Sequence, residues 1–345
     1  MDGNRGELIR WTGTTIWESE IFRTEFRDEV SSLRGYCRED VWTVKNEEGL
    51  VQPLFEGDLD IVGDVHGEIG ALESLLGELG YDSSGHHPDG RRLVFVGDLT
   101  DRGPDSPAVV RLVAELVASG RAQCILGNHE LNLLMEYEKP ENGWFVGDES
   151  RGNGREVAAD ESTRDFVIDF FGSLPMALER PGLRVVHACW NDEAIEQVRP
   201  HSDAAGLYRD HQSRIGQELS GRGELDRIGI NLVFQNENPV RMITSGPEER
   251  AAEKHFAGGK WRQEQRVRWW EGPASEPVCV FGHYSMPVDE PHEFGSAFCV
   301  DYGVGRRAKE RTEVGDDGPF VTTRLAALRW PEREMVFDAA DPGSR

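Results

Sequence analysis

Asp64, His66, Asp98, Asn128, His187 and His283 each stand at the end of a short apolar run of the sequence. Two carboxylates, three imidazoles and one amide suit borderline-hard divalent cations such as Mn or Fe better than thiolate-loving metals. Six donors exceed the four that a structural zinc usually takes. They are about right for two ions that share a bridging carboxylate, roughly 3.5–4 Å apart, which can hold a hydroxide and clamp the oxygens of a phosphate under in-line attack.

The elements that must position these side chains are legible around them. Leu59-Asp60-Ile61-Val62 ends in Gly63-Asp64-Val65-His66-Gly67, after which Ile69, Leu72, Leu75, Leu76 and Leu79 recur at helical spacing. Leu93-Val94-Phe95-Val96 ends in Gly97-Asp98-Leu99-Thr100-Asp101-Arg102-Gly103. Ser106-Pro107 then reads as the N-cap and first position of a helix carrying Val109, Val110, Val113, Leu116 and Val117. Cys124-Ile125-Leu126 runs into Gly127-Asn128-His129-Glu130. Three strand–loop–helix units in a row predict parallel strands joined by right-handed crossovers, with a site at their carboxyl ends.

Farther on, Phe166, Val167, Phe170 and Phe171 mark a helix, and Leu183–Val186 a strand ending at His187. Val278–Phe281 ends at Gly282-His283, and Ala297–Val300 at Asp301-Tyr302-Gly303. Thr322–Leu328 and Glu334–Phe337 read as a closing hairpin. Residues 1–56, with Trp11, Trp17 and Trp42 as anchors, read as an extension packed on the outside of a main domain at 57–338, and 339–345 as a tail. Residues 138–160 look like an exposed excursion, and 191–276 like a cap-like insertion. Within the insertion, the spacing of Trp261, Gln265, Arg268 and Trp269 fits a cap helix packed on the core. Arg-over-aromatic stacking for a nucleotide base or phosphopeptide is the rival reading of that stretch. His86, His87, His201, His211, His255 and His292 have no motif around them and read as solvated.

Composition bounds the answer. The 345 residues are 38% hydrophobic and 29% charged, with nine Trp and fifteen Phe, which is enough for a large core. No run approaches the roughly 20 apolar residues of a membrane span. A net charge of -25 repels nucleic-acid phosphates, so no nucleic-acid or membrane partner is expected. Lysine occurs only at 45, 139, 254, 260 and 309; a high-salt cytoplasm and GC-rich codon usage both account for this. Five scattered cysteines without a CxxC pair, and an N-terminus without an apolar signal region, point to a reduced, cytoplasmic protein.

The strings GDVHG, GDLTDRG and GNHE, in this order and followed by strand-end histidines, resemble the calcineurin-like metallophosphoesterase superfamily. They are most similar to its branch of phosphoprotein phosphatases and bacterial symmetrical diadenosine tetraphosphatases, over about residues 57–338. The resemblance implies an α/β fold of two packed mixed β-sheets flanked by helices, a four-layer αββα sandwich. It implies Asp64 and His66 on one metal, Asp98 bridging, and Asn128, His187 and His283 on the second, with Mn as the ion and Fe or Zn as alternatives. Arg102 matches the arginine that grips the substrate phosphate, beside Asn128, with a planar fork able to take two oxygens. His129 matches the general acid, oriented by Asp101, a role worth about 10²–10⁴-fold in rate.

Two departures bear on the substrate. His187 is followed by Ala188-Cys189-Trp190, where phosphoprotein phosphatases place two glycines, and Gly282-His283-Tyr284-Ser285 lacks a second histidine. Family members with a second phosphate-gripping arginine leave Arg241, Arg262, Arg266 and Arg268 as candidates here. The reading is a phosphatase, a dinuclear metal-dependent hydrolase of phosphate monoesters (phosphoserine, phosphothreonine or small phosphoesters). The alternative is hydrolysis of diadenosine tetraphosphate or a related nucleotide anhydride. A catalytically silent binding module is the second alternative, against which the intact ligand set speaks.

Overall fold

The computed structural model describes residues 49–339, apart from 138, 149–155, 222, 224, 258–259, 273–275 and 316–317. Trp11, Trp17, Trp42, Cys37 and most of the expected extension therefore lie outside the described residues, as does nearly all of the tail.

Two six-stranded mixed sheets carry the fold. One has the order β1 (Val51–Pro53), β5 (Ala177–Arg180), β6 (Leu183–Val186), β9 (Val278–Phe281), β11 (Ala297–Cys299) and β10 (Glu293–Phe294). The other has the order β12 (Asp301–Tyr302), β13 (Arg324–Trp330), β2 (Leu59–Val62), β3 (Arg92–Phe95) and β4 (Ala122–Cys124), with β14 (Glu334–Phe337) on β13. As expected from the three repeated units, β2, β3 and β4 are parallel. In the other sheet β6, β9 and β11 are parallel as well.

The period-2 alternation of the strands sets the layers. Leu59 and Ile61 of β2, Val94 of β3, Val185 of β6, Val280 of β9 and Phe298 of β11 form one apolar cluster between the sheets. Their neighbours Val62, Leu93, Phe95, Val186, Phe281 and Cys299 belong to a second cluster that also holds helix residues. That cluster includes Leu72, Leu75 and Leu79 of α1 (Ile69–Leu79) and Val109, Val110 and Val113 of α2 (Ser106–Ala118). Each such side chain stabilises the fold by about 1.5–3 kcal/mol relative to exposure.

Short α3 (Asn128–Leu134), α4 (Gly143–Val146) and α5 (Glu161–Gly172) follow, then the insertion: α6 (Asp192–Val198), α7 (Ala204–Leu219), α8 (Arg227–Glu237), α9 (Pro239–Ser245) and the hairpin β7 (Glu248–Ala257) with β8 (Lys260–Arg266). Aspartate or asparagine caps most of these helices, from Asp160 on α5 to Asn238 on α9.

Several expectations are corrected. Val51–Pro53, in the stretch expected as an extension, is an edge strand that runs parallel to β5. The cap of α2 is Asp105, which accepts the Ala108 N–H at 2.9 Å, while Ser106 Oγ accepts the N–H of Asp101. The helical spacing at Trp261 is misleading, because Lys260–Arg266 pairs antiparallel with β7. Gly258-Gly259 between the two runs was the hairpin signal. Trp261 is 69% exposed, whereas Trp270 packs on Phe281 and Tyr284. His87 is buried and bonds to Leu79 O, because its ring closes the end of α1.

Between β12 and β13 the chain makes an excursion that includes α10 (Arg307–Val314). Buried Glu310 accepts the N–H groups of Val321 and Thr322 at 2.9 Å and the Thr323 hydroxyl. Burial alone would raise its pKa, but these hydrogen bonds outweigh it and hold the carboxyl below its ordinary 4.5. A depressed folded-state value means that the contribution to stability is complete above the unfolded value and is lost as pH falls through the folded one. Glu310→Gln should therefore cost the metal-free protein about 1–3 kcal/mol at pH 7. The gap to wild type should shrink below pH 4.5. Urea denaturation at pH 7 and pH 4 checks this, and a gap independent of pH would refute it.

Candidate dinuclear metal centre

The predicted ligands come from five strand ends of the two sheets: Asp64 and His66 after β2, Asp98 after β3, Asn128 after β4, His187 after β6 and His283 after β9. Backbone hydrogen bonds knit the loops together. Val65 and His66 donate to Asp98 O at 3.0 and 2.9 Å, and Gly282 donates to His187 O at 2.8 Å. The His283 N–H reaches the Asp64 carboxylate at 3.1–3.2 Å, which joins the two sheets at the site.

Asp98 lies at the centre. Its Oδ2 is 3.4 Å from His187 Nε2, 3.8 Å from His66 Nε2 and 3.9 Å from His129 Nε2. Two groups of buried donors share it: His66, Asp98 and His129, and Asp98, His187 and His283, each with ligand atoms within 4.8 Å of one another. Asn128 Oδ1 is 3.2 Å from His187 Nε2, and Asp64 Oδ2 is 3.9 Å from His66 Nε2. Asp64 itself belongs to neither group, and His129, expected as a proton donor, stands as near Asp98 as His66 does.

Tautomers are set by the surroundings. His187 Nδ1 lies 2.7 Å from Val96 O and His66 Nδ1 lies 3.0 Å from Thr100 O, so each Nδ1–H donates and each Nε2 faces inward. Arg102 then donates to His66 Nε2 at 2.9 Å and His129 Nε2 at 3.0 Å.

Electrostatics favour cations here. Burial, together with the charge of Asp301, raises Asp64 well above the usual carboxylate range. Neither Asp64 nor Asp301 pairs with a Lys or Arg among the described residues, although both are buried. Burial would raise Asp98 too, but the imidazoles of His187, His129 and His66 outweigh it and hold this carboxyl well below its ordinary value. His66 and His283 are driven well below theirs by burial and then by Arg102 and Arg266 respectively, which leaves both neutral. Burial opposes a proton on His187, yet Asp98 and Asp64 push it up to about 10. The neutral imidazoles of His66 and His283, an ionised central carboxylate and two buried acids without a Lys or Arg partner among the described residues are donor chemistry that divalent cations need. A cation would displace the proton that Asp98 and Asp64 hold on His187.

The backbone is strained around the donors. Of the eight non-glycine residues with positive φ among the described residues, six are His66, Asp98, Asp101, Arg102, His283 and Ser285. Such conformations persist where the surrounding structure over-determines them. Close approach dictates two glycines. A Cβ at Gly127 would lie 2.3 Å from Asp98 Oδ1, and one at Gly282 would lie 2.2 Å from Asp64 Oδ1.

Three supporting residues escaped the sequence reading. Glu130 accepts the N–H groups of Asp98, Leu99 and Gly127 at 2.8–3.0 Å and so fixes two ligand loops. Burial, then the charge of Asp98, raises its carboxyl to about 7. Asn142 Nδ2 and Trp144 Nε1 donate to Asp101, the latter at 2.6 Å, and Asp101 in turn takes the His129 Nδ1–H at 2.6 Å. The expected exposed excursion at 138–160 is thus partly buried, with Asn142 and Trp144 inside the protein. Only the last letter of GNHE signalled Glu130; nothing periodic signalled the other two.

Trp144→Phe removes one donor from the Asp101–His129 pair without touching a candidate ligand. Turnover should fall about tenfold with metal content unchanged. Elemental analysis beside steady-state kinetics checks this, and lost metal would place Trp144 in a purely structural role.

Of the candidate arginines, Arg266 is at the site, with Nη1 donating to His283 O at 2.8 Å. Arg241 bonds Tyr208 Oη, and Arg268 is paired with Glu271 and Glu290.

A family model described as calcineurin-like phosphoesterase matches residues 58–305. A protein of Geobacillus thermodenitrificans named as an asymmetrical bis(5'-nucleosyl)-tetraphosphatase, PrpE, is 47% identical over 284 residues, 81% of this chain and 92% of that protein. The same name belongs to a protein of Oceanobacillus iheyensis, 29% identical over 295 residues, 82% of this chain and 92% of that one. A solved protein serine/threonine phosphatase from Saccharomyces cerevisiae overlays 92% of this chain and 95% of its own with a TM-score of 0.48 and 11% identity. With the matched model covering most of the described residues, this chain belongs to the calcineurin-like phosphoesterase family and is a metal-dependent phosphoester hydrolase.

Proposed function

We propose that the chain hydrolyses dinucleoside tetraphosphates asymmetrically, to a nucleoside triphosphate and a nucleoside monophosphate. The observation that carries this is the 47% identity, across 81% of the chain, to a relative named for that reaction. It puts the nucleotide anhydride ahead of the phosphate monoester, and unequal cleavage ahead of the symmetrical cleavage suggested by the sequence strings. The bulk of Ala188-Cys189-Trp190 supports it, since the site departs there from the protein phosphatases.

Asp64, His66 and Asp98 would hold one cation, and Asp98, Asn128, His187 and His283 the other, with Mn as the native ion in a cytoplasmic protein. When bound, the pair supplies charge neutralisation to the phosphate oxygens and makes the attacking water more acidic. The chain's own groups do the rest. Arg102, held between His66 and His129, presents its fork to two phosphate oxygens, with Asn128 beside it. Once Arg102 turns from His129 Nε2 to the phosphate, the protonated His129 ring gives its Nε2 proton to the leaving oxygen, while Asp101, fixed by Asn142 and Trp144, keeps Nδ1–H pointing away.

Two substrates side by side separate the readings. Mn-loaded protein should consume diadenosine tetraphosphate at least about tenfold faster than it releases phosphate from a phosphothreonine peptide. The reverse preference would restore the monoesterase.

A further inference from the structure

Antiparallel neighbours are normally joined by two to five residues. β12 and β13 are such neighbours, paired through Asp301↔Leu325 and Tyr302↔Arg324, yet residues 303–323 separate them. Long connections inside compact domains are usually functional. This one is pinned at several points. Arg311 pairs with buried Glu68, two residues past His66, and Arg307 pairs with buried Asp338 at 2.8 Å and donates to Thr323 O.

The excursion lies directly on the site. Gly305 packs so closely that a Cβ there would be 2.3 Å from His66 Cδ2 and 3.0 Å from Arg102 Nη1. The next residue, Arg306, is exposed, and its guanidinium lies against Gly303. Its Nη2 donates to Ser285 O at 3.1 Å, two residues past His283. One backbone segment thus touches the His66 side of the centre and extends a cation to the His283 side.

Arg306 differs from the arginines beside it. Arg307 and Arg311 are neutralised by buried carboxylates, whereas Arg306 has a backbone carbonyl and no carboxylate partner among the described residues. A guanidinium at the rim of this site with no carboxylate partner among the described residues, on a chain of net charge -25, is a place for anionic oxygens. In the proposed reaction Arg102 and the two cations would hold a single phosphate. Phosphates carried beyond it need a further partner.

We propose that the start of this excursion, residues 303–306, reads the phosphates beyond the one under attack, with Arg306 as the binding residue for that polyphosphate segment. This rests on the nucleotide reading above for its physiological meaning, but its test does not. The ligands are AMP and ATP, which differ only in the number of phosphates, titrated by calorimetry into Mn-loaded wild type, Arg306→Gln and Arg306→Lys. In Arg306→Gln, ATP binding should weaken about tenfold more than AMP binding. Arg306→Lys should recover part of the loss, because charge returns without the fork.

Equal weakening of both ligands would make Arg306 a structural support and overturn the proposal, as would no change in either. A wild type that leaves diadenosine tetraphosphate intact would refute the proposed reaction, while the AMP and ATP comparison would still decide the role of Arg306.

Discussion

Asp98→Asn should abolish turnover and strip the protein of metal. This carboxylate is the one group common to both donor sets, with Oδ2 between 3.4 and 3.9 Å from three imidazoles. A unit charge pair near 4 Å is worth about 4 kcal/mol at the effective dielectric of a protein site, or about 10³-fold in an equilibrium constant. Each cation would lose at least that much when the bridge becomes neutral. The fold should survive, because the amide keeps the shape of the side chain and Glu130 still holds the loop through the backbone. The expected result is fewer than one ion per chain by elemental analysis, turnover at least about 10³-fold lower, and an unchanged circular dichroism spectrum. Two retained ions with near-normal turnover would mean that the bridge lies elsewhere.

His129→Asn should act on the proton and spare the ions. Burial opposes a charge on this imidazole, but Asp98 and the hydrogen bond to Asp101 raise its pKa above the ordinary value. Removing a positioned proton donor costs about 10²–10⁴-fold. The loss should be smaller on p-nitrophenyl phosphate, whose leaving group departs without a proton, than on a nucleotide anhydride. Metal content should stay at two ions per chain. Because His129 Nε2 stands 3.9 Å from Asp98, as near as His66, the rival outcome is specific: loss of one ion would make it a ligand.

What the sequence shows, and what it hides, follows from range. The strand–loop–helix units at Asp64, Asp98 and Asn128 are local patterns, and their strands and parallel order are where the spacing places them. The groups that steady the site are supplied by distant segments, and local spacing carries no trace of such pairings. Asn142 and Trp144 reach Asp101 from a stretch without periodicity, and Arg311 reaches Glu68 from the far end of the chain. The insertion misled for a different reason. Trp261 and Trp269 share a helical spacing by coincidence, one on an exposed hairpin and the other donating to Ala188 O beside His187. The substrate was the least legible feature, because the donor set serves any phosphoester.

The central claim is best tested by the products of diadenosine tetraphosphate. Mn-loaded protein, with Asp98→Asn as the blank, should yield ATP and AMP in equal amounts by anion-exchange chromatography, with no free phosphate at early times. ADP as the sole product would establish symmetrical cleavage, and an intact substrate beside rapid phosphothreonine hydrolysis would show that this chain is a protein phosphatase.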